Sequence, residues 1–171
     1  MPRVLGWSLF LIVAAVLAVI GPRQVASQAV VTEQPTELVD ARVKGGSLMI
    51  VGGGRVTPDI RQQFIELAGG ATARIVLIPG SDPSPEGEQQ LLAPWQARGI
   101  AAVVLLNAKD RAMANDPAFC EPLMQATGVW FGGGYQSLLA DRYVDTTVQK
   151  CLHDVLARNG VVGGCSAGAA L

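Results

Sequence analysis

Clustered cations, aromatic rings, histidines and paired cysteines are all in short supply in this chain. Thirteen Lys and Arg residues nearly balance fourteen Asp and Glu, for a net charge of −1. No basic run interrupts the sequence, and aromatic residues make up only 5 % of it. Nucleic-acid binding needs a concentrated positive surface to displace counterions, so that class of function is not expected. The single histidine, His153, has no metal-ligating neighbours at suitable spacing, and the cysteines Cys120, Cys151 and Cys165 form no CxxC pair. A zinc site is therefore unexpected, and no metal or cofactor is called for. In an oxidising compartment Cys120 and Cys151 are able to pair, but spacing alone does not establish a bridge. Free buried thiols are the plainer reading.

Long apolar runs are absent as well, with one exception. Val4 to Ile20 is apolar except for Ser8, follows the cation of Arg3 and ends at Gly21-Pro22. Small residues around Val25-Ala26-Ser27 and Ser27-Gln28-Ala29 suit a signal peptidase. Residues 1–29 are accordingly expected to be a signal peptide or an N-terminal anchor, and the protein to be exported to a periplasmic or extracellular location. Contact with a membrane is expected only if this segment stays uncleaved. Residues 30–44 are polar and contain proline without periodicity, as a linker does. One compact domain, 45–171, remains.

Within that domain short apolar runs alternate with longer amphipathic ones, the pattern of an α/β fold with a parallel sheet. Leu48–Val51, Ile75–Ile78, Ile100–Leu106, Val129–Phe131 and Val161-Val162 read as strands. Thr57-Pro58-Asp59 opens a helix with a side-chain cap and a proline at the first helical position, and Gly69-Gly70 stops it. Further helices are expected over about 87–98, after Asp116-Pro117, over 135–140 and over 147–158.

Ligands of open parallel sheets collect at the C-terminal ends of the strands. Four loops lie there: Gly52–Gly54, Ser81–Pro85, Gly132–Gln136 and the segment around Ser166. The first lacks dinucleotide-binding spacing, and close backbone packing is the expected reason for its glycines. The last, Gly164-Cys165-Ser166-Ala167-Gly168, has the form of a nucleophile elbow. A sharp strand-to-helix turn lifts a serine clear of the sheet, and flanking glycines avoid collision with the neighbouring backbone. A helix after Ser166 is expected to aim its free N–H groups at the reacting centre. Cys165 lacks the glycine two residues on that such a turn requires, so Ser166 is the candidate nucleophile and Cys165 a small buried neighbour. The glycines of 132–134 allow a second oxyanion donor beside the Ala167 N–H, and Gln136 can both donate to and accept from a substrate amide or carboxylate. His153 is a poor candidate base. Its helix runs back to the opposite edge of the sheet, and the five residues of a strand then span roughly 16 Å, whereas a base needs hydrogen-bond reach.

Two motifs together, Trp130-Phe131-Gly132-Gly133-Gly134-Tyr135-Gln136-Ser137-Leu138 and Gly160-Val161-Val162-Gly163-Gly164-Cys165-Ser166-Ala167-Gly168-Ala169-Ala170, resemble the cyanophycinase-like serine peptidases, a group that includes aspartyl dipeptidases. Ile78-Pro79-Gly80-Ser81-Asp82-Pro83 and Ala114-Asn115-Asp116-Pro117 fit the same pattern. The resemblance implies a doubly wound, flavodoxin-like sheet related to class I glutamine amidotransferases. It also implies metal-free hydrolysis of peptide or isopeptide bonds beside aspartyl residues, through an acyl-enzyme on Ser166. Ala167 with Gly133 or Gly134 would form the oxyanion hole, and Gln136 and Ser81 would touch the substrate. A homodimer is compatible with it. The chain departs from the pattern at Tyr135, where the family carries an acidic or amide residue. The family's catalytic histidine and acid follow the nucleophile, so the fold is expected to be cut short after the elbow and the chain alone to be a weak or inactive catalyst. The alternatives are a non-catalytic peptide- or amide-binding module and a truncated gene product.

Overall fold

The computed structural model describes residues 45–171. The expected signal or anchor (1–29) and linker (30–44) lie outside the described residues. Five parallel strands form one sheet: β1 (Ser47–Val51), β2 (Arg74–Gly80), β3 (Ala102–Leu105), β4 (Gly128–Gly134) and β5 (Val161–Cys165), in the order β1-β5-β4-β2-β3. Six helices connect them: α1 (Pro58–Leu67), α2 (Pro85–Gln96), α3 (Arg111–Asn115), α4 (Pro117–Met124), α5 (Gln136–Tyr143) and α6 (Thr147–Ala157).

Helix starts follow local chemistry. The Thr57 hydroxyl accepts from the Ile60 N–H at 3.4 Å, and Pro58 takes the first helical position, where a missing N–H costs nothing. Ser84 and Pro85 repeat this for α2, with Gly87 N–H donating to Ser84 Oγ at 3.2 Å. The cap places the start of α2 two residues before Gly87, the expected start. The third strand is shorter than expected, Ala102–Leu105. Helix α3 was not expected at all; Asp110 caps it, its carboxylate accepting from Met113 N–H at 2.8 Å. The fourth and fifth strands run on through their glycines. Trp130 pairs with Gly163 and Phe131 with Gly164, so these glycines belong to the sheet interior, not to turns.

The order of connections fixes the two faces. From β1 the chain crosses two strands to β2 and then steps outward to β3; it then returns to β4 and β5 on the inner side. Parallel crossovers are right-handed, so reversing direction moves the helices to the opposite face. Accordingly α1 and α2 cover Ile75, Leu77 and Trp130, while α3 to α6 cover Val76, Ile78, Val129 and Phe131. Alternating strand residues thus feed two cores. One is aromatic: Phe64 stands edge-on to Trp130 at 5.1 Å between ring centroids and to Trp95 at 5.7 Å. The other is mostly aliphatic, with Tyr143 buried in it and receiving the Ala108 N–H at 2.9 Å.

Strands β2 to β5 lie in the order of a flavodoxin-type sheet, and β1 occupies the place of its fifth strand. The fold is doubly wound and flavodoxin-like. The direction of winding reverses between β2 and β4, which opens a crevice at their C-terminal ends. On β1 the side chains of Leu48 and Ile50 remain exposed.

Candidate active site

Ser166 follows the last residue of β5 and adopts φ +52°. Left-handed backbone costs a side-chain-bearing residue roughly 1–2 kcal/mol, so the surrounding structure must hold it there. The flanking glycines show how. A Cβ on Gly164 would run into the Gly168 carbonyl, and one on Gly168 would lie 2.5 Å from the Phe131 carbonyl oxygen and 2.6 Å from Phe131 Cβ. The turn folds back onto β4 so closely that neither position admits a side chain. Ser166 itself is exposed, while Cys165 and Ala167 on either side of it are buried. The segment after the strand, Ser166–Ala169, is a single 3-10 turn. This corrects the expected helix: four residues align too few peptide units for a macrodipole.

The two glycines expected to share the oxyanion role are in different situations. A Cβ on Gly133 would lie 3.3 Å from Ser166 Cβ and 3.6 Å from the Cys165 carbonyl oxygen. Gly134, with φ +148°, packs on Gly80 instead: its Cβ would collide with the Gly80 carbonyl and lie 3.0 Å from Gly80 Cα. The next N–H, of Tyr135, donates to that same carbonyl at 2.7 Å. Gly133 is therefore the glycine beside Ser166, and Gly134 holds the loop on β2. Gln136 opens α5 and is exposed, its Nε2 3.5 Å from the Ala170 carbonyl oxygen. Ser81 is half-buried after β2 and lines a cavity of about 200 Å³ with Gly133, Arg61, Gln90, Trp95 and Trp130. Gly133 thus lies beside Ser166 and also lines the cavity that Ser81 borders.

His153 does not line that cavity. It is exposed on α6, beside a groove walled by Leu48, Ile50 and Val162 that extends to Gly164 and Gly168 of the elbow, and no hydrogen bond ties it to Ser166 among the described residues. The Gly52–Gly54 loop corrects another expectation. Among the described residues nothing lies within 4 Å of a Cβ on any of its three glycines, so close packing within the described domain is not their reason. Cys120, Cys151 and Cys165 are free. Burial and the neighbouring Cys151 push the Cys120 thiol up to about 11, so it stays protonated at neutral pH.

Two groups of residues were not singled out from sequence. One is the set of cavity walls, Arg61, Gln90 and Trp95. The other is an ion cluster bracing the rim. Arg142 of α5 grips Asp82 with two nitrogens, at 2.8 and 2.7 Å, and Lys109 adds a third contact at 3.1 Å. Hydrogen bonds from Arg142 and Lys109 hold the Asp82 carboxyl far below the usual carboxylate range. The pair fastens the Ser81-Asp82 loop to α5 across 60 residues of sequence. Only the acidic character of Asp82 beside Ser81 signals it in the sequence; its partner is set by topology.

With the geometry in place, similarity to known proteins is informative. No family model matches the chain. A curated cyanophycinase from Geminocystis herdmanii is 28 % identical over 131 residues, covering 73 % of this chain and 48 % of that protein. The chain is thus similar in sequence to a cyanophycinase. It spans about half the length of that curated relative. Among solved structures, a peptidase from an acI-B1 Actinobacterium superposes with a TM-score of 0.61 at 25 % identity, covering 72 % of this chain and 55 % of that one.

Proposed function

We propose that this cyanophycinase-like chain carries the nucleophile of a serine-type peptidase acting on peptide bonds next to aspartyl residues. The observation that carries the reading is the left-handed Ser166 at the tip of β5, exposed beside Gly133. A peptidase as structural neighbour and a cyanophycinase as sequence relative support a peptide substrate.

In this reading the Ser166 oxygen attacks the substrate carbonyl carbon. The Ala167 and Gly133 N–H groups receive the negative charge that develops on the carbonyl oxygen. The serine proton passes to the leaving amine, the carbon–nitrogen bond breaks, and water then hydrolyses the ester on Ser166. Among the described residues no histidine or carboxylate hydrogen-bonds Ser166, and the group that relays that proton is not assigned. Loss of such a base costs on the order of 10⁴–10⁶ in rate, and turnover by this chain alone is expected to be weak.

A fluorophosphonate modifies the nucleophile in a single covalent step, so over long incubation it tests Ser166 without requiring turnover, at a rate lowered where no base assists the serine. Covalent labelling at Ser166, absent in Ser166→Ala, is the expected result by mass spectrometry. Labelling that survives Ser166→Ala would place the reactive group elsewhere. The absence of a histidine or carboxylate bonded to Ser166 among the described residues favours a second reading, a non-catalytic peptide-binding module. That reading requires ligand binding with no labelling of Ser166.

A further inference from the structure

Two of the three cysteines meet in the core that α3 to α6 share with the sheet. Cys120 is buried on α4, and Cys151 is half-buried on α6, packed against the same group of apolar side chains. The two helices lie against each other, and the two thiols are within hydrogen-bond reach. The Cys120 Sγ also donates to the Ala114 carbonyl oxygen at 3.7 Å. Among the described residues that oxygen and Cys151 are the polar partners of its thiol. Cys165 belongs to the other core, on the far side of the sheet.

A single buried thiol packs as a small apolar group. Two that touch across a pair of helices are also the halves of a cross-link. Exposure divides the roles between them. Solvent reaches Cys151, whereas burial keeps the Cys120 thiol protonated at neutral pH. An oxidant in solution therefore meets Cys151 first, and Cys120 is the neighbour that resolves the adduct. A bridge also needs the two Cβ atoms about 3.5–4.5 Å apart, so its formation reports how closely α4 and α6 approach.

We propose that Cys120 and Cys151 form a redox modification site, closed by a low-molecular-weight disulfide such as glutathione disulfide into a bridge that clamps α4 to α6. The Cys151 thiolate attacks one sulfur of the oxidant, the oxidant's S–S bond breaks, and one thiol leaves after taking up a proton. The Cys120 thiol then gives up its proton and attacks the Cys151 sulfur of the mixed disulfide, expelling the second thiol. Two protein thiols are oxidised, and the oxidant is reduced to two thiols. The bridge closes a loop of about 30 residues that contains β4 and α5, and with them Gly133 and Gln136. This inference is independent of the chemistry assigned to Ser166.

Trypsin separates the three cysteines, because cleavage after Arg111, Arg142, Lys150 and Arg158 leaves each on its own peptide. The full chain is equilibrated with glutathione disulfide, quenched with acid, alkylated with N-ethylmaleimide under denaturing conditions, digested and weighed by mass spectrometry. The Cys120 and Cys151 peptides are expected to be joined, without glutathione, and Cys165 to be alkylated. Closing the loop should raise Tm on the order of 10 °C. Dithiothreitol should reverse that gain, and Cys151→Ser, which leaves buried Cys120 in place, should not show it. Glutathione retained on Cys151 with Cys120 alkylated would overturn the proposal, as would three alkylated cysteines or a bridge that includes Cys165. A bridged chain that melts no higher than the reduced one would overturn the clamp.

Discussion

Gly52-Gly53-Gly54 and Gly132-Gly133-Gly134 are the same tripeptide at the C-terminal ends of two parallel strands, yet their surroundings demand opposite things. Around the first, nothing among the described residues comes within 4 Å of where side chains would start. Around the second, every position has close neighbours: Gly132 is in ordinary contact with the backbone of Ile78, Pro79 and Gly80, Gly133 is tight against Ser166, and Gly134 is pressed onto Gly80. The difference comes from the place of each strand in the sheet. Strand β1 is at the edge, and its loop leaves into solvent. Strand β4 lies between β2 and β5, so the loop after it is pressed by the ends of both. A run of glycines therefore announces a site only where the topology crowds it.

Substitutions can sharpen this contrast. The largest effect is expected for Gly134→Ala, which adds a methyl group against the Gly80 backbone at a φ that side chains rarely adopt. A loss of about 3 kcal/mol or more is expected, seen as a fall in Tm on the order of 10 °C. Gly133→Ala should act on chemistry more than on folding. Its methyl would come within 3.3 Å of Ser166 Cβ, so the serine must shift by a few tenths of an ångström. Fluorophosphonate labelling is expected to slow by about tenfold, while Tm changes little. The smallest effect belongs to Gly53→Ala, in open space and without a left-handed φ. Its stability should be unchanged or raised by up to about 1 kcal/mol, since alanine narrows the unfolded ensemble. Comparable destabilisation by Gly53→Ala and Gly134→Ala in thermal melts would break the contrast altogether.

Some of this was legible in the amino-acid order and some was not. The strands were placed because Ile75–Ile78 and Val129–Phe131 are buried on both faces and so read as continuous apolar runs. The elbow was visible because its constraint is local: Gly164 and Gly168 are needed by a turn that contains both. Strand ends were misjudged where glycine meant close packing within a sheet, as at Gly163 and Gly164, instead of a turn. Helix α3 escaped notice because five residues carry too little periodicity and its only signal is the Asp110 cap. The cavity escaped for a different reason. Arg61, Ser81, Gln90 and Gly133 come from four separate segments, and only the strand order, which no local pattern encodes, brings them together. The bond between Asp82 and Arg142 is hidden in the same way.

Ser166 has one more implication, for how this chain balances folding against reactivity. Its hydroxyl stands free because the backbone beneath it is twisted into a shape that glycine would occupy with less effort. Any drift toward greater robustness would thus tend to erase the reactive oxygen first, and chemistry and durability pull against each other at a single Cα. The crowding by Gly164, Gly168 and Phe131 is what keeps that contest settled in favour of the serine.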